Sequence, residues 1–151
     1  MKKENKIYAA YGSNLNLEQM ACRCPYAMVV GNAELHGYRL LFRGGAGGAV
    51  ATVEPHKGGM VPILLWEITP RDEEELDRYE GWPRLYRKET VTVSYNGKLA
   101  DVMAYILNKR YPISMPHTKY LRTIMEGYNS AGFDLDILKV AVNTVYTEKW
   151  I

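Results

Sequence analysis

The sequence predicts an α+β fold: a compact, mixed and mostly antiparallel β-barrel with helices around it. Three observations carry this. Strand-like runs crowd the first two thirds of the 151-residue chain, and hairpin-type turns join them rather than regular βαβ crossovers. One strongly signalled helix interrupts them at TPRDEEELDRYEGWP. The last third is helical in pattern. A chain of this length is expected to form one domain over residues 1–151 and to bury its own core without staples.

The elements follow in order. Ile7 to Tyr11 reads as a short buried strand. Asn14 or Asn16 caps a short helix, Leu17 to Arg23, which Pro25 ends. Residues 26–43 alternate loosely, as two strands or one bent strand. RGGAGGAVATVEP supplies four glycines and then a β-branched run, Val50 to Val53. His56-Lys57-Gly58-Gly59 reads as a hairpin loop before the strand Val61 to Ile68. In the central helix Thr69 is the cap, Pro70 takes the first position and acidic residues fill the first turn. Leu76 and Tyr79 are placed to face inward, and Gly81 and Pro83 stop the helix. Asn96-Gly97, the strongest short hairpin signal in the chain, joins the next two strands. Helices over about 116–130 and 134–147 complete the fold, the second with Leu135, Leu138, Val142 and Val145 on one face.

Composition narrows the function classes. The net charge of +2 gives no electrostatic case for nucleic acid or an anionic membrane. No run approaches the ~18 apolar residues that a membrane span needs. The Met1-Lys2-Lys3 lead-in has no apolar stretch behind it, so the expected location is cytoplasmic. Cys22 and Cys24 are only two ligands, and His36, His56 and His117 show no ligand spacing, so no metal site is expected and the thiols read as reduced. Twelve tyrosines against two phenylalanines suit the walls of a polar-ligand pocket, although amphipathic strand positions use the same residues.

Three features carry possible chemistry. Tyr11-Gly12-Ser13-Asn14-Leu15 sits at a strand-to-helix junction, where successive N–H groups make an anion nest and glycine lets a ligand approach the backbone. A tight turn with an Asn cap would use the same residues. Glu80 ends a helix, where the macrodipole disfavours a carboxylate by roughly 0.3–1 kcal/mol. Tyr79 and Trp82 beside it are placed to desolvate it, which is how an acid/base carboxylate is made. A solvated residue before a glycine cap is the plainer alternative. Tyr120 lies just inside the helix that Pro116 starts, as a pocket or a core residue. A phosphate loop at Gly12 would want a lysine and basic surroundings, which are missing.

Tyr11 to Leu15 after a strand, LHGYRLLF after the first helix, AVATVEP, VPILLWEIT and LDRYEGWPRLYRKETV together resemble the gamma-glutamylcyclotransferase-like family. The likeness runs over roughly residues 6 to 126, and its YGSN and LDxxEG elements lie about 65 residues apart. The resemblance implies a barrel with one pocket that releases 5-oxoproline from a γ-glutamyl amide, with no cofactor. It implies that Tyr11, Gly12, Ser13, Asn14 and Leu15 hold the glutamyl carboxylate and amine and that Glu80 is the acid/base. Tyr86, one residue closer to the EG element than the family spacing, and Tyr120 then complete the pocket, and the glycine-rich turn and VATV form a wall. The expected partner is a small γ-glutamyl substrate, with glutathione not preferred because the loops around the EG element are short. A non-catalytic module that binds an amino acid or 5-oxoproline on the same fold is the alternative. Oligomeric state is not legible.

Overall fold

The computed structural model describes residues 4–45 and 47–148. Met1 to Lys3 of the polar lead-in, and Ala46 of the glycine-rich turn, lie outside the described residues.

Five strands close a barrel in the order β1, β3, β2, β4, β5. β1 is Lys6–Ala10, β2 Met28–Arg43, β3 Val50–Ile68, β4 Tyr86–Tyr95 and β5 Lys98–Leu107. Every neighbouring pair is antiparallel except β1 and β5, which close the barrel in parallel at Tyr8 and Met103. The mixed, mostly antiparallel barrel is therefore as the sequence predicts. The hairpin β4–β5 turns at Asn96-Gly97, both with positive φ, in unbroken register from Tyr86 opposite Leu107 to Tyr95 opposite Lys98.

The structure chooses between two readings of one strand and changes another. Residues 26–43 contain one long strand, bent where the register shifts between Val29 and Gly31 and between His36 and Tyr38. His56 to Gly59 are not a hairpin loop. Met60 pairs with His36 and Pro55 with Tyr38, so the four residues bulge opposite Gly37 and β3 continues along the same partner. The local sequence has turn chemistry, but the long-range pairing with β2 decides the chain's direction.

Helix α1, Leu17–Arg23, is capped by Asn16, whose side chain accepts from the Gln19 N–H at 3.1 Å. Helix α2, Pro70–Glu80, starts with a reciprocal capping box between Thr69 and Asp72 and ends at Gly81 with φ 64°. Leu76 anchors it with no exposed surface. Tyr79 does not turn inward as expected and is 43% exposed. Helices α3, Thr118–Ala131, and α4, Leu135–Thr147, pack Ile124, Tyr128, Leu138 and Ala141 into the core. Among the described residues no helix is long and apolar enough to cross a membrane.

The packing of α3 fixes the segment after β1. A Cβ on Gly127 would lie 2.5 Å from Leu15 Cβ and 2.8 Å from the Leu15 carbonyl carbon. The helix backbone thus lies directly against the single 3₁₀ turn Ser13–Leu15. Asn16 adds a tie, its side-chain N–H donating to the Thr123 carbonyl at 3.0 Å.

Candidate active site

A cavity of about 230 Å³ opens where the end of β1, the 3₁₀ turn, the end of α2 and the start of α3 meet. Of the residues singled out in the sequence, Tyr11, Gly12, Ser13, Asn14, Glu80, Tyr86 and Tyr120 all line it. Leu15 does not. Its side chain is fully buried, and its N–H is spent on the Gly12 carbonyl at 3.0 Å. Val50 and Ala51 of the VATV run form one wall, whereas Gly44, Gly45, Gly47 and Gly48 take no part.

The 3₁₀ turn explains what Gly12 to Asn14 offer. Its internal hydrogen bonds run from Leu15 and Asn16 back to Gly12 and Ser13. The N–H groups of Gly12, Ser13 and Asn14 precede the first of these bonds and have no acceptor among the described residues. Three unpaired donors in sequence beside a cavity wall are the groups from which an anion-binding nest is made. A Cβ on Gly12 would meet Ala51 Cβ at 3.2 Å and crowd this wall.

Glu80 is the last residue of α2 and the one carboxylate in the lining. As a whole residue it is half-buried, but its carboxyl lies among the aromatic walls. Burial pushes it up to about 7, and the positive charge of Arg23 draws it partly back down. Among the described residues it makes no ion pair or hydrogen bond through that carboxyl. Trp82 is not the desolvating neighbour. The left-handed turn at Gly81 sends it outward, where Lys88 Nζ sits 4.1 Å from its ring centroid. Burial comes instead from the tyrosine-rich lining of the cavity.

Tyrosine rings dominate that lining. Tyr11 donates to the Tyr105 carbonyl at 2.6 Å, and Tyr86 to the Ala51 carbonyl at 2.7 Å. Tyr105 donates to Asp77 at 2.6 Å. The Tyr120 hydroxyl accepts from the Ala51 N–H at 3.0 Å. Burial raises the hydroxyls of Tyr8, Tyr11, Tyr86 and Tyr120 well above the usual tyrosine range, so all four stay protonated at neutral pH. They serve as walls and hydrogen-bond groups, and not as bases.

Sequence reasoning missed Tyr8, Leu85 and Tyr105, which also line the cavity, and named Tyr79 only as a neighbour of Glu80. Tyr8 reads as an ordinary strand position, and Tyr105 carries no motif. Arg23 was missed as well. Its guanidinium carbon lies 3.4 Å from the Tyr79 ring centroid, and it donates to the Asn14 side chain. Only the packing of α1 beside α2 brings these groups together. Cys22 is exposed and Cys24 buried, both as free thiols, and neither lines the cavity.

The chain is similar to known proteins over most of its length. The family model described as gamma-glutamyl cyclotransferase, AIG2-like, matches residues 8–128. Gamma-glutamylcyclotransferase of Bos taurus is 30% identical over 145 positions, covering 90% of this chain and 77% of the bovine one. Its counterpart from Homo sapiens is 28% identical over 158 positions, covering 97% and 84%. A solved structure of a gamma-glutamyl cyclotransferase superposes with a TM-score of 0.78 at 26% identity over 91% of this chain and 86% of its own. The matched span contains the whole cavity lining, from Tyr8 to Tyr120. The chain therefore belongs to the gamma-glutamyl cyclotransferase, AIG2-like family, and it is an enzyme of the gamma-glutamylcyclotransferase type.

Proposed function

We propose that this protein converts a small γ-glutamyl amide into 5-oxoproline and a free amine, with Glu80 as the proton-transfer group. The observation that carries the reading is the pairing of one desolvated carboxylate with three unpaired backbone donors in one cavity.

The substrate carries an α-carboxylate, an α-ammonium and a γ-amide. The N–H groups of Gly12, Ser13 and Asn14 hold the carboxylate, which points the ammonium toward Glu80. An ammonium has no lone pair to attack with. Glu80 takes its proton, and a carboxyl that titrates at about 7 is well matched to an α-amine near 8. The free amine attacks the γ-carbonyl carbon, the new C–N bond closes a five-membered ring and charge builds on the γ-oxygen. The old amide C–N bond then breaks as the γ-oxygen charge collapses and Glu80 returns the proton to the departing nitrogen, and the emptied carboxylate takes the second proton from the ring nitrogen and releases it to water. Because nucleophile and electrophile belong to one molecule, the pocket's main task is to hold the chain folded. Each step is served by residues of the lining and by the substrate itself, which supports a cofactor-independent reaction. The two free thiols go with a cytoplasmic setting.

The leaving amine is proposed to be a simple γ-glutamyl amine or an amino acid, with glutathione a poorer substrate. A panel of γ-glutamyl amides assayed for 5-oxoproline, with Glu80→Gln alongside, tests both statements. Turnover that disappears in the variant is expected. A higher kcat/KM for glutathione than for simple γ-glutamyl amides removes the substrate preference. Binding of 5-oxoproline with no turnover of any amide removes the catalytic reading in favour of a binding module.

A further inference from the structure

The charge that builds on the γ-oxygen during ring closure needs a donor, and most of the donors in the cavity are already spent. The three loop N–H groups are committed to the α-carboxylate in the reading above. The hydroxyl protons of Tyr11, Tyr86 and Tyr105 are spent on the Tyr105 carbonyl, the Ala51 carbonyl and the Asp77 carboxylate. Ser13 and Tyr79 share a bond at 2.8 Å that spends one of their two protons and leaves the other at the exposed Tyr79 edge of the cavity. Tyr8 and Tyr120 remain, and each is an acceptor in its one hydrogen bond.

Tyr120 accepts from a backbone N–H and keeps its proton too, but it is only half-buried at the start of α3, whereas Tyr8 is enclosed and its acceptor role is set by a charged side chain. Arg23 has only donors to offer, and it donates to Asn14 Oδ1. That contact fixes the orientation of the Asn14 amide. Its Nδ2 must then face Tyr8, and it does, at 3.0 Å from the hydroxyl oxygen. An N–H directed at Tyr8 makes the hydroxyl an acceptor there and leaves its own proton unspent. Tyr8 is 3% exposed and lines the cavity that Glu80 also lines, so this unspent donor is held away from bulk water. A buried donor with no partner is costly to keep unless something fills the place.

We infer that the Tyr8 hydroxyl donates to the developing γ-oxyanion of the substrate, and that Arg23, acting through the Asn14 amide, holds it in that role. Tyr8 is then a catalytic residue, and Arg23 and Asn14 position it. The inference rests on the cyclisation reading, because it assigns a donor to that reaction's transition state. The arrangement is pre-set before substrate arrives, which is what makes such a donor effective.

The test uses the full chain, a γ-glutamyl amide turned over by the wild type, and 5-oxoproline as readout. Tyr8→Phe keeps the ring and its edge contact with Tyr105, at 5.7 Å between centroids, so the fold is expected to survive. Its kcat should fall by roughly 10²–10³-fold, the usual loss for one oxyanion donor, with KM little changed. Arg23→Met frees the Asn14 amide to turn its oxygen toward Tyr8, so kcat should fall. Arg23→Lys, also donor-only, should restore most of it. Measured on the alkaline plateau, where Glu80 is ionised with or without the Arg23 charge, adding Arg23→Met to Tyr8→Phe should lower kcat by no more than about threefold further, because both act on one donor there. Should Tyr8→Phe not fold, Asn14→Asp gives the same reading. Its carboxylate captures the Tyr8 proton, and kcat should fall without loss of thermal stability.

The inference is overturned by a Tyr8→Phe kcat within about threefold of wild type. It is overturned equally by falls that multiply in the double variant, or by an effect confined to the acid limb of the pH profile with the plateau kept. In the last case Tyr8 would serve Glu80 and not the oxyanion. An absence of 5-oxoproline from the wild type on every amide would remove the cyclisation reading and this one together, so the two failures are distinguishable.

Discussion

Replacing Glu80 by glutamine should make the protein inactive and, at alkaline pH, more stable. The carboxyl ordinarily titrates at 4.5 and is pushed up to about 7 by burial in the cavity wall. Between those values the folded chain holds a proton that the unfolded chain has released. Stability from this group is therefore undiminished below about 4.5, falls as the pH rises and reaches its full penalty above about 7. A difference of roughly 2.5 pH units at 1.36 kcal/mol each gives about 3 kcal/mol. The glutamine side chain of the Glu80→Gln variant carries no such charge, so the gap between variant and wild type should widen by most of that amount between pH 5 and pH 8.5. At this chain length about 2–4 °C of Tm accompanies each kcal/mol, so thermal melts at the two pH values resolve it easily. Urea melts at the same pH values check the magnitude. The pH dependence of the gap is the diagnostic, because any fixed cost of placing an amide there cancels. A gap that is the same at both pH values, or that narrows toward pH 8.5, would refute the claim that this carboxyl is desolvated.

Other expectations follow from the same geometry. The acid limb of kcat/KM should fall with decreasing pH through about 7, since Glu80 must be ionised to accept the ammonium proton; a limb near 4.5 would contradict this. Gly127→Ala places a methyl 2.5 Å from Leu15 Cβ, so α3 and the 3₁₀ turn must separate. A loss of about 1–3 kcal/mol in urea melts, together with a raised KM, is expected. Tyr86→Phe leaves the Ala51 carbonyl without its 2.7 Å partner and should cost about 1–2 kcal/mol by the same assay. Arg43→Met strips the buried partner from Glu54 on the far side of β3 and should cost about 3 kcal/mol, while KM stays at the wild-type value because neither residue lines the cavity.

The sequence is most legible where chemistry is local. Thr69, Pro70 and Asp72 announce the start of α2, and Asn96-Gly97 announces the β4–β5 turn, because caps and turns are decided within four residues. The loop from Tyr11 to Asn14 and the misplaced charge of Glu80 are legible for the same reason, each being a local rule used against its usual grain. What fails is whatever depends on a distant partner. His56 to Gly59 look like a turn, yet β2 holds β3 in line through them. Tyr79 was expected in the core, and its place at the cavity edge is set by Arg23 from α1 and Ser13 from the turn. Leu15 sits within the motif, but Gly127 of α3 claims it for packing. Tyr8 is the clearest case. Nothing about a tyrosine in a strand shows that an arginine in the following helix decides where its proton goes.

The most direct test of the account is to run the reaction in ¹⁸O-labelled water and identify the products by mass spectrometry. Ring closure by the substrate's own amine gives unlabelled 5-oxoproline and the free amine in equal amounts from the wild type, and neither from Glu80→Gln. Glutamate carrying ¹⁸O in its γ-carboxyl, released in place of 5-oxoproline, would mean that water and not the substrate's own amine attacks the γ-carbonyl, and would contradict the central claim.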